Sequence, residues 1–102
     1  MRAGPLAEEP KGGEREPDAR QAGLEQGAIT TGELWADRWR ESLRLQGRRA
    51  SGGWPGTMTE ARALVAAYFS AAPVGPALTC HELESAARIS YARAKHHWLA
   101  RE

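Results

Sequence analysis

Cysteine is nearly absent: the 102-residue chain has one, Cys80. A lone cysteine cannot close an internal disulfide, so the expected setting is a reducing one, the cytoplasm. Long apolar runs are missing as well. No stretch approaches the roughly 20 residues of a membrane span. The N-terminus lacks the apolar core of a secretory signal, and acids match its few arginines, which argues against a mitochondrial presequence. Charge of one sign is also scarce. The net charge is +1, where dedicated nonspecific nucleic-acid binders are usually more basic. No segment alternates apolar and polar residues with period two, so no substantial sheet is expected. The chain has no phosphate loop, no nucleophile elbow and no carboxylate pair suited to a cleft, and a core this small offers no ordinary ligand pocket. These absences predict a non-enzyme with no cofactor, no small-molecule ligand and no membrane association.

Large apolar side chains are rare in the first part. Leu6 and Leu24 are the only ones between Met1 and Ile29, among Pro5, Pro10, Pro17 and five glycines. Such a stretch cannot bury enough surface to offset chain entropy, so residues 1–30 are expected to form a disordered tail. Residues 31–46 read differently. Thr31 is placed to cap a helix with Glu33 in its first turn. Trp35, Trp39 and Leu43 recur every four residues, flanked by Leu34 and Leu45, and form one apolar stripe. This stripe is either packed on the C-terminal unit or used as a partner-binding or homodimer surface. Gly47 is a plausible C-terminal cap. Residues 47–57, rich in glycine and carrying Arg48 and Arg49, read as a linker.

The composition shifts sharply at Met58, the expected start of a folded domain at 58–102, a size at the low edge for independent folding. Thr59 is read as the cap of a helix with Glu60 in its first turn and a stripe of Ala61, Leu64, Val65, Tyr68 and Ala72, widened by Phe69. Pro73, Gly75 and Pro76 forbid its continuation. Thr79 and Glu82 then form a capping box. A short helix over about 80–87 is expected to turn Leu83, Ala86 and Ala87 inward. Ser90 is read as the cap of a last helix from Tyr91 toward Arg101, anchored by Ala94 and Trp98.

A short helix, a tight turn plugged by Ile89 and a second helix with polar residues outward meet the needs of a helix-turn-helix. The phrase Glu82-Leu83-x-x-Ala86-Ala87-Arg88-Ile89-Ser90-Tyr91-Ala92 resembles the core of the bacterial helix-turn-helix superfamily, especially winged-helix repressors. Arg88 stands where the turn usually has glycine, and Glu84 where alanine usually faces the second helix. The resemblance covers about residues 59–99. It implies an all-α, trihelical unit, either a simple one or a fragment of a longer winged protein, and sequence-specific DNA binding by a small transcriptional regulator. Ser90, Tyr91, Arg93, Lys95 and His96 would be the DNA-binding residues. Arg93 and Lys95 would reach guanine or phosphate, and the cap at Ser90 would aim the positive helix end at the backbone. The other class is a helical protein-interaction module, an adaptor or antagonist, using Trp35, Trp39 and Leu43. Cys80, His81, His96 and His97 match no zinc-finger spacing, although folding could still bring Cys80 and His97 together; no metal is expected. Cys80 itself is expected to behave as a small, at least half-buried apolar residue.

Overall fold

In the computed structural model, residues 3–48, 52–71 and 77–100 are described, with side chains from Ala19 onward. They form three helices: α1 (Ala3–Leu45), α2 (Met58–Ala71) and α3 (Cys80–Ala100). The fold is all-α. The pairs that join the helices give their directions. Arg20 meets Glu82, Glu33 meets Arg93 and Asp37 meets His97, so α3 runs alongside α1 in the same sense. Gly27 lies against Phe69, while Trp39 and Leu64 share a groove, so α2 runs opposite to α1.

Helix ends follow local chemistry. The Thr57 hydroxyl accepts the Glu60 amide at 3.1 Å, and the Glu60 carboxylate accepts the Thr57 amide at 3.0 Å. This capping box starts α2, so Thr57, not Thr59, is the cap. Thr79 and Glu82 repeat the exchange at 3.0 Å in both directions and start α3, as expected. At the other end of α1, Gly47 has a φ of 72°. The Gly47 amide donates to Arg44 O and the Arg48 amide to Leu43 O, a Schellman closure that suits glycine.

Two expectations are corrected here. Residues 19–30 are not a tail. They continue α1, and Leu24 and Ala28 are buried against Val65, Phe69 and Ala86; the expectation for residues 1–18 lies outside the described side chains. Thr31 is therefore no cap; it is buried inside the helix and donates its hydroxyl to Gly27 O at 2.7 Å. The second correction concerns the turn at 88–90, which does not form. Helix α3 passes unbroken through Arg88, Ile89 and Ser90. No glycine or proline interrupts residues 80–100, so nothing local opposes propagation.

Small residues bring α1 and α3 close together. A Cβ at Gly32 would stand 2.5 Å from Ser90 O and 3.1 Å from Arg93 Cβ. Ala28 and Ala36 on α1 and Ala87 and Ala94 on α3 are likewise buried, so the backbones approach without bulky side chains between them. A wider aromatic cluster closes the end beyond. Trp35 is 5% exposed and Trp98 1% exposed. Trp54, from the connection between α1 and α2, packs edge-on to both, with ring centroids 4.8 and 5.4 Å away.

Candidate interaction surface

The residues expected to bind DNA do not share one surface. Ser90 is fully buried in the middle of α3, and its hydroxyl has no hydrogen-bond partner among the described residues. Tyr91 is half-buried with its ring 6.2 Å from Trp35. Arg93 is held by Glu33 of α1, at 2.8 Å from Nε and 2.6 Å from Nη2. Only Lys95 and His96 stand exposed without a charged partner among the described residues. The unbroken α3 explains this: without a turn, residues 90 and 91 fall on the face already turned to α1 and the core.

The ionic contacts between helices are mostly reciprocal. Glu82 accepts two bonds of 2.8 Å from Arg20 while still serving as the partner of Thr79. The Arg20 guanidinium, and after it the Thr79 amide, hold the Glu82 carboxyl down at about 2. Glu84, whose position in the resembled motif faces a second helix, instead reaches Arg62 of α2 at 2.8 Å. That guanidinium lowers its pKa below the ordinary carboxylate value. Arg40 donates to Trp98 O at 2.8 Å and lies 4.6 Å over the Trp98 ring, so a cation of α1 meets the carbonyl end of α3.

Trp35, Trp39 and Leu43 lie on the inward side of α1. Trp35 is 5% exposed and belongs to the core, so it offers a partner little surface; Trp39 and Leu43 pack partly against that core. Beside them, α1 and α2 leave an open apolar groove of about 390 Å³. Trp35, Arg38, Trp39 and Ser42 form one wall, and Glu60, Ala63 and Leu64 the other. Arg38 is exposed and has no charged partner among the described residues. The outermost side of α1 also carries Leu34, 50% exposed, and Leu45, 72% exposed. The eleven-residue spacing of these leucines is the signal that a reading centred on the tryptophan stripe passes over. A larger cavity, about 680 Å³, opens beside Leu24 and Phe69 at the other end of the bundle, where Arg20 and Glu82 already satisfy each other.

Cys80 is exposed, not buried as expected. The continuous helix also separates Cys80 from His96 by about 24 Å, at 1.5 Å per residue, and His97 is one residue farther. Cys80 and His97 therefore cannot share a metal ion. Among the described residues no group of three or more metal-ligating side chains converges, and no helix is long and apolar enough to cross a membrane. Compared with known proteins, the chain significantly matches no family model, no curated protein and no solved structure.

Proposed function

We propose that the chain is a helical protein-interaction module that receives an amphipathic helix in the groove between α1 and α2. The observation that carries this reading is the groove itself: Trp39 and Leu64 line an apolar trough whose rim holds Arg38, which has no charged partner among the described residues. Helix-in-groove recognition uses such a surface, with apolar anchors below and charge at the edge. A single exposed thiol suits a reducing, cytoplasmic setting for this role. Ala63 lies exposed in the wall of the groove, so Ala63→Glu should fill the trough with charge while the helical circular dichroism stays unchanged. Loss of captured helical partners in this variant supports the module. Unchanged capture of the same partners overturns it.

DNA binding is the second reading, favoured by one feature. From Ser85 to Ala100 the sequence contains no acid, and Arg88, Lys95 and His96 are exposed along α3. Phosphate contact by these side chains would give an affinity that falls steeply with salt and weakens on Lys95→Ala. A mobility assay with random duplex at low salt tests it: a shift that disappears with Lys95→Ala supports DNA binding, and the absence of any shift removes it.

A further inference from the structure

We infer that the outer stripe of α1, which borders the groove at Arg38, packs antiparallel about a two-fold axis against α1 of a second copy of this chain; this rests on the reading of the protein as an interaction module given above. The solvent side of α1 carries Leu34, Arg38, Glu41 and Leu45, at spacings of four, three and four residues. At 100° per residue these positions fall within one narrow sector of the helix. The order is apolar, positive, negative, apolar. Turned end to end, the stripe complements itself. Leu34 meets the partner's Leu45, and Arg38 meets the partner's Glu41. An isologous interface makes each of these contacts twice. Leu34 and Leu45 lie about 16 Å apart along the helix, so the two leucine contacts bracket the two ion pairs.

The charges are available for this arrangement. Arg38 has no charged partner among the described residues. Glu41 holds Arg44 of its own helix through an exposed pair of 2.6 Å. A carboxylate has about four acceptor positions, so Glu41 can keep Arg44 and accept the partner's Arg38 as well. Arg38 also lines the apolar groove. Arg38 is thus the point where the stripe borders the groove, while Trp39, about 100° further round the helix, lies outside the stripe. The occupant that this charge order fits is α1 itself.

Sedimentation velocity on the full chain over a micromolar concentration series tests the proposal. The wild type is expected to dimerise. Arg38→Glu and Glu41→Arg each place like charges opposite one another, and each should weaken the dimer at least about tenfold. Both positions are exposed, so circular dichroism should show both variants folded. Mixing the two variants in equal amounts should restore dimers, because the reversed charges then face each other and the native charges do the same. A wild type that stays monomeric throughout, or a mixture without rescue, overturns self-pairing. A monomeric wild type that still loses captured partners on Ala63→Glu overturns self-pairing while leaving the interaction module standing. Dimerisation with charge rescue that Ala63→Glu leaves intact supports the stripe, because Ala63 lines the groove only; a dimer that Ala63→Glu abolishes overturns the stripe as its seat.

Discussion

Gly32 and Gly23 occupy the same helix but face different surroundings. Gly23 has open space around its missing Cβ, whereas a Cβ at Gly32 meets the backbone of α3. Gly23→Ala should therefore stabilise the protein by about 1 kcal/mol through helix propensity. Gly32→Ala should destabilise it by about 1–3 kcal/mol, because α3 must move away. Urea denaturation of the two variants checks both signs. Glu82 makes a pH-dependent prediction. Its carboxyl is held at about 2 in the folded chain, below its ordinary value of 4.5. The unfolded state thus takes up the proton first as pH falls, so the contribution of Glu82 is complete above about pH 4.5 and is lost as pH drops toward 2. Melting temperatures measured across that window should fall less steeply for Glu82→Gln than for the wild type. The Thr79–Glu82 box was legible because its chemistry is local. Thr57 and Glu60 carry the same pattern, but Thr59 offers a second hydroxyl beside Glu60, and only the folded chain decides between them. The Arg20–Glu82 and Arg93–Glu33 pairs were not legible, since each joins residues about sixty positions apart.

At the scale of the element, α3 decides between a recognition helix and a structural one. If Ser90 capped a helix, Ser90→Ala would cost about 1 kcal/mol. Inside an unbroken helix the same change removes a buried hydroxyl with no described partner and adds the best helix former. Ser90→Ala is therefore expected to be neutral or to stabilise the protein by up to about 1 kcal/mol, as measured by thermal or urea unfolding. Two features of the sequence pointed this way: Arg88 fills the place of the turn glycine, and residues 88–90 hold no breaker. The early part of α1 was hidden for a different reason. Gly27, Ala28, Thr31 and Gly32 read as weakly hydrophobic, yet small residues are what close helix contact requires, and their value appears only when another helix is present.

For the molecule as a whole, the connection between α1 and α2 is part of the core. Trp54 lies against both Trp35 and Trp98, although a Gly- and Pro-rich stretch reads as a spacer. Trp54→Ala should cost about 3 kcal/mol, near the figure for truncating a large aromatic side chain. That is a substantial share of the roughly 5–15 kcal/mol that holds a domain together, and a lower urea midpoint would report it. The all-α class followed from the periodicity of the sequence, although four helices were expected where the described residues form three, the last two joining as α3. The domain boundary at Met58 did not hold as a structural division, because the partners of α2 and α3 come from the half with little apolar content.

The guanidinium of Arg40 gives this dependence a further meaning. It covers the ring of Trp98 and donates to the Trp98 carbonyl at the C-terminal end of α3, although it belongs to a different segment of the chain. A fragment consisting of α2 and α3 alone would leave the Trp98 indole facing water and the final carbonyls of α3 without that counter-ion. Its last turn would fray, and the two helices would have no fixed orientation to offer any ligand. The first half of the chain is thus the scaffold on which the second half acquires a shape.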